Sequence, residues 1–95
     1  MIPYEVRKAV YEKAIAHYGT ESQVMVAVEE MAELTKELAK AFRPDGTTPE
    51  KIIDEIADVT VMMEQLRLIF HINKPVQDHI DYKVSRLAKR LEGVG

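Results

Sequence analysis

Residues 24–42 read VMVAVEEMAELTKELAKAF, and Val24, Ala27, Val28, Met31, Leu34, Leu38 and Phe42 recur within them every three or four positions. That is the period of a helix with one apolar face. Upstream, Thr20 and Gln23 fit a capping box, the hydroxyl covering one end amide and the amide side chain reaching back. The helix is therefore expected over about 20–42. Downstream, Arg43-Pro44-Asp45-Gly46-Thr47-Thr48-Pro49 interrupts the pattern. Thr48 is a good N-cap and Pro49 suits the first helical position. Ile52, Ile56, Val59, Met63, Leu66 and Phe70 then form a second stripe.

Two further segments flank this pair. From Pro3 to Tyr18, Val10, Tyr11, Ala14, Ile15 and Tyr18 share a face, and Gly19 stops the helix. After Asn73-Lys74-Pro75, Val76, Ile80, Val84, Leu87 and Leu91 line a fourth helix, ending at Gly93. Sustained period-two alternation is missing, so strands are not expected. The expected fold is an all-α four-helix bundle in one domain, residues 1–95. Its two central helices are antiparallel and each exceeds twenty residues, while the first and fourth are shorter. A loop of about six residues permits the central hairpin.

Composition narrows the class. The 95 residues are 46% hydrophobic and 31% charged, a globular balance rather than a disordered one. Domains this small commonly gain stability from disulfides, metals or a partner chain. Cysteine is absent, so disulfides and Cys-based zinc sites are excluded. A metal or a second subunit remains, and two long amphipathic helices favour a bundle completed by a second subunit. The net charge of −3 argues against a general nucleic-acid binder. No apolar run approaches the roughly 18–20 residues that span a membrane. With no targeting segment visible at Met1-Ile2-Pro3-Tyr4-Glu5, a cytoplasmic protein is expected.

The acidic residues stand in unusual places. Glu30 falls about 40–60° from the edge of the first stripe on a helical wheel, and Glu55 falls within the margin of the second with Asp58 beside it. A carboxylate on a core-facing margin is unfavourable unless paired or metal-bound. Glu30 and Glu33 are three apart, as are Glu55 and Asp58, so each pair points one way and repels. An antiparallel hairpin lets the two pairs face each other. Four convergent carboxylates make an all-oxygen site for a hard divalent cation such as Mg²⁺, which takes carboxylates, water and phosphate oxygens. Taken singly, Glu-x-x-Glu is common on solvated faces, and Lys36 and Lys40 offer Glu33 and Glu37 ordinary surface pairing.

Glu29-Glu30-Met31-Ala32-Glu33, then 21 residues, then Glu55-Ile56-Ala57-Asp58 resembles the signature of the MazG-like all-α nucleoside triphosphate pyrophosphohydrolases. The resemblance runs from about Tyr18 to Leu91. Tyr18-Gly19-Thr20-Glu21-Ser22-Gln23 and Arg43-Pro44 also look like the family's short members. The resemblance implies Mg²⁺-dependent cleavage of a nucleoside triphosphate between the α and β phosphates, giving a monophosphate and pyrophosphate. Mn²⁺ is a possible substitute for Mg²⁺. It implies a cation held by Glu30, Glu33, Glu55 and Asp58. Glu29 would orient or deprotonate the attacking water, or hold a second ion. It also implies a homodimer or a tetramer of paired dimers that shares its bundle between subunits, and a role in nucleotide-pool cleaning.

Phosphoribosyl-ATP pyrophosphohydrolase has a similar length and acidic motif. It usually carries a Lys before the double Glu and a Tyr-His pair after the Asp. Here Met25-Val26-Ala27-Val28 and Val59-Thr60-Val61-Met62 stand in those places.

Other motifs complete the reading. His79, Lys83, Arg86 and Arg90 form a basic stripe on the fourth helix, and Lys83 and Arg86 are candidate phosphate-binding residues. The same cations also suit a helix C-terminus. No His follows a Glu by three positions, which argues against a di-iron bundle. No glycine-rich phosphate loop is present. Met25, Met31, Met62 and Met63 read first as core. The alternative to an enzyme is an oligomeric helical interaction module, or a nucleotide binder without cleavage, whose acidic cluster is a solvated face.

Overall fold

Gly19 sets the first corner of the chain. It adopts φ 95°, a conformation that L side chains rarely take, and its N–H donates to the Ile15 carbonyl at 2.9 Å. The computed structural model describes residues 1–94, the side chain of Val94 excepted, and Gly95 lies outside the described residues. Four helices follow one another: α1 Tyr4–Tyr18, α2 Thr20–Ala39, α3 Pro49–Ile69 and α4 Asn73–Val94. The described residues hold no strand. The expected order and class are therefore observed, with the lengths revised. At 22 residues α4 is the longest helix rather than a short one, and nine residues separate α2 from α3.

The second helix starts differently from the capping-box expectation. Thr20 is already helical and no side chain caps the helix, whose preceding residue is Gly19. Gln23 turns inward instead, and its amide donates to Gln65 Oε1 at 2.8 Å with both residues buried. The N-cap expected at Thr48 is present, its hydroxyl accepting from the Lys51 N–H at 3.3 Å.

The α2–α3 hairpin is the largest packed unit, and α1 lies against both of its helices. Its seam runs through Gln23, Ala27, Glu30, Leu34 and Glu37 on α2. On α3 it runs through Glu55, Val59, Met62 and Gln65. This line is rotated from the apolar stripes expected to form the core. Ala27, Leu34, Val59 and Leu66 are at least partly covered, but Val28, Leu38, Phe42, Ile56, Met63 and Phe70 are exposed. Among the described residues, Tyr11, Ala27 and Met62 are the buried apolar ones, alongside buried Gln23, Glu37 and Gln65.

α1 is pinned to α3 by an ion pair. Arg7 reaches both carboxylate oxygens of Glu64, at 3.0 and 2.9 Å, and the Tyr11 hydroxyl donates to the same carboxylate. Arg7 also donates to the Ile2 carbonyl at 2.7 Å. Held by these donors, Glu64 stays below the ordinary carboxylate range.

The α3–α4 corner is a Schellman closure. His71 N–H donates to the Leu68 carbonyl and Ile72 N–H to the Arg67 carbonyl. His71 occupies the left-handed position at φ 56°, where glycine or asparagine is usual. Beyond it, α4 packs only against α3, and Asn73 and Val76 are its only partly covered residues among those described. Ile80, Val84, Leu87 and Leu91 are all exposed.

The hairpin loop is tight at Gly46, where an added Cβ would stand 2.1 Å from the Lys40 carbonyl oxygen. Gly46→Ala must push backbone aside. It is expected to cost about 1–3 kcal/mol, the usual range for overpacking, and to lower the melting temperature in a calorimetric scan.

Candidate functional site

Antiparallel register brings the acidic residues together. The pairing that sets Gln23 against Gln65 sets Glu30 against Asp58, seven residues further along each helix. Glu55 lies one turn from Asp58 on the same side of α3. Glu30, Glu55 and Asp58 each offer a carboxylate oxygen, and these oxygens lie within 4.8 Å of one another.

Glu30 and Glu55 are half-buried. Oε2 of Glu55 is buried without a hydrogen-bond partner. Burial pushes the Glu30 carboxyl up, reinforced by the charges of Asp58 and Glu55. Burial likewise pushes Glu55 up, with Asp54, Asp58 and Glu33 adding to it. Like charges held together in a partly dry site resist joint ionisation.

An all-oxygen donor set with one buried, unpaired oxygen fits a hard divalent cation. Carboxylate oxygens are the ligands Mg²⁺ takes, and a cation there would satisfy Glu55 Oε2 while cancelling the repulsion. Glu33 is exposed and outside the close group, though its charge reaches both Glu30 and Glu55. Glu29 is exposed on α2 and also outside it. Lys83 and Arg86 are exposed on α4, which touches neither α1 nor α2 in this chain. The structure thus gathers three of the four carboxylates expected to converge, and within one chain it leaves the basic pair apart from them.

Three polar contacts were not anticipated by sequence. Glu37 was expected to pair on the surface, yet it is buried. Thr47 donates to it at 2.6 Å and Lys40 pairs with it at 3.0 Å, which holds it below the ordinary range. The Arg7–Tyr11–Glu64 group and the Gln23–Gln65 pair are the other two. The available signal was spacing. Gln23, Ala27, Glu30, Leu34 and Glu37 advance by four, three, four and three, a continuous helical line in which every second member is polar or acidic.

Compared with family models, curated proteins and solved structures, the chain matches none.

A carboxyl raised on folding binds its proton more tightly in the native state. Its contribution favours the fold below the ordinary carboxylate range and is lost as pH rises through the raised value. In cation-free buffer, Glu55→Gln is therefore expected to raise the melting temperature at pH 7, with the gain shrinking as pH falls below the carboxylate range. Glu37 and Glu64, both lowered, act oppositely, and their contribution is lost on acidification. Thermal scans of wild type and variant across pH read both signs.

Proposed function

We propose that the chain is a Mg²⁺-dependent nucleoside triphosphate pyrophosphohydrolase of the MazG-like kind, a nucleotide-pool enzyme of the cytoplasm. It would cleave between the α and β phosphates to give a monophosphate and pyrophosphate. One observation carries the reading: Glu30, Glu55 and Asp58 converge from two helices, and one Glu55 oxygen is buried and unpaired. The resemblance of Glu29–Glu33 and Glu55–Asp58 to the family's acidic signature supports the same reading.

Each residue has a part in this proposal. Glu30, Glu55 and Asp58 hold the cation, and Glu33 completes the set from the adjacent turn. A bound Mg²⁺ supplies positive charge that polarises phosphoryl oxygens and lowers the pKa of water. Glu29 orients or deprotonates the attacking water, or holds a second ion. Lys83 and Arg86 bind phosphate oxygens, and Arg suits that contact through its planar fork.

We further propose that the bundle is completed by a second copy, as a homodimer or a dimer of dimers. The chain exposes 7394 Å², whereas a compact monomer of this mass exposes roughly 5,500 Å². Its radius of gyration is 16.4 Å against about 12.4 Å for a compact domain of this length. The excess area exceeds the roughly 800 Å² that each partner contributes to a standard interface. It is also apolar: Phe42, Ile53, Ile56 and Phe70 stand exposed on α2, α3 and their ends, and the entire α4 stripe beyond Val76 is uncovered. In such an assembly the basic stripe of α4 approaches a triphosphate from the subunit boundary. Among the described residues, no helix is long and apolar enough to cross a membrane.

Two outcomes are expected. Wild-type protein with Mg²⁺ should release pyrophosphate from at least one member of a panel of ribo- and deoxynucleoside triphosphates. Glu55→Gln should lose at least the roughly 10–100-fold that loss of a mere outer-shell partner costs. Full activity in Glu55→Gln would reject the site assignment. Silence across the panel would favour phosphoribosyl-ATP as substrate or a helical interaction module. Separately, light scattering should give two or four times the 10.8 kDa chain mass; a monomer would reject the shared bundle.

A further inference from the structure

At the open end of the hairpin, away from the acidic cluster near its middle, lies a cavity of about 600 Å³, bounded by α1, the start of α2, the end of α3 and the start of α4. It is roughly 13 Å along α3 from Asp58 to Arg67, nine residues at the helical rise. We propose that this cavity binds a small organic anion, a phosphate ester with an apolar or aromatic body. The proposal is independent of the reaction assigned to the acidic cluster.

The wall is basic in an acidic protein. Lys8, Arg67 and Lys74 line it, with Glu12 as the one carboxylate among the lining residues, while the chain as a whole carries −3. The neighbouring acids do not neutralise this wall. Lys74 is paired with Asp78 at 2.9 Å, but both are well exposed, so that pair opens readily to a competing anion. Glu64, which lies near enough to feel the Arg67 charge, has its carboxylate occupied by Arg7 and Tyr11.

Arg67 carries the argument furthest. Its Nη2 donates to the Asn73 carbonyl at 3.2 Å and to Gln77 Oε1 at 3.3 Å, which fixes the guanidinium plane. Its Nε is buried and has no acceptor. The held guanidinium belongs to the cavity wall, and a guanidinium matches phosphate oxygens in geometry and charge. The first turns of two helices border the same space. Thr20 opens α2, which no side chain caps, and Asn73 and Lys74 open α4, whose first turn contains no acid. The last turns of α1 and α3 border it too, so the helix dipoles offset one another there and the Lys8, Arg67 and Lys74 side chains supply the positive charge.

The remaining wall identifies the body of the ligand. Ile15, Leu68 and Ile69 supply an apolar side, and a cavity of this volume lies in the range of small-molecule sites rather than of a bare ion. His71 borders the cavity from the left-handed residue that closes α3. Glycine would relieve that backbone conformation, which histidine adopts more readily than most side chains.

The test uses the full chain in EDTA, so that no divalent cation bridges phosphate to the acidic cluster. Phenyl phosphate and inorganic phosphate are titrated by calorimetry and by amide and guanidinium Nε–H chemical shifts. Saturable binding of phenyl phosphate is expected, at least about tenfold tighter than inorganic phosphate, with the Arg67 Nε–H and the amides of residues 71–74 shifting most. Lys8→Ala, at a half-buried position of α1, should weaken it about tenfold. His71→Gly should raise the melting temperature and weaken phenyl phosphate binding together, a combination that a purely structural role would not produce. Absence of saturation at millimolar probe, equal affinity for the two phosphates, or unchanged binding in Lys8→Ala and His71→Gly would each overturn the proposal.

Discussion

The α2–α3 register is the constraint on which the other features depend. Polar contacts clamp it at both ends: Gln23 with Gln65 at one, Thr47 with Glu37 at the other. Slipping one helix by a turn would break both, leaving the buried amides without partners and the buried Glu37 carboxylate with Lys40 alone. Such groups are costly when unsatisfied, so they specify register more sharply than sliding apolar contacts do. That register, and no local feature of either helix, brings Glu30 across from Glu55 and Asp58.

The seam thus formed is short of apolar burial. Among the described residues, Ala27 and Met62 are buried in it, with Tyr11 of α1 beside them, and buried Gln23, Glu37 and Gln65 are polar. Ionic and amide contacts orient the helices, but hydrophobic area supplies most of a domain's stability, and here much of that area faces outward. A second face on α2 and α3, together with the length of α4, is the surplus that a second copy would cover. The acidic cluster adds to the need for a ligand. Two carboxyls raised by burial and mutual repulsion weigh against the isolated fold at neutral pH, and a divalent cation would reverse their sign.

Two places in the molecule have opposite electrostatic character. Carboxylates converge near the middle of the hairpin, and cations gather where α1, α3 and α4 meet. Both places contain a buried polar atom without a partner, Glu55 Oε2 in one and Arg67 Nε in the other. Buried polar atoms are generally satisfied, so these two stand out among the described residues.

Sequence by itself determined the four helices, the break at Gly19, the Arg43–Pro49 interruption and the Thr48 cap, while the last break falls at Phe70–Ile72, just before the expected Asn73-Lys74-Pro75, which instead opens α4. These depend on local periodicity and turn chemistry, which act within a few residues. It also singled out Glu30, Glu33, Glu55 and Asp58 from their margins and spacing on a helical wheel, and of these the packed chain leaves Glu33 exposed outside the close group. Tertiary structure decided which line along each helix faces its neighbour. The apolar stripes of α2 and α3 combine two faces, and periodicity cannot say which face meets the same chain. It decided that Gln23 bonds Gln65 rather than capping α2, that Glu37 is buried, and that Arg7 and Tyr11 hold Glu64 from 57 and 53 residues away. It also left Lys83 and Arg86 on an arm clear of the acidic cluster. The physical reason is common to all of these: a side chain's partner across a helix interface depends on register and rotation, which only the packed chain fixes.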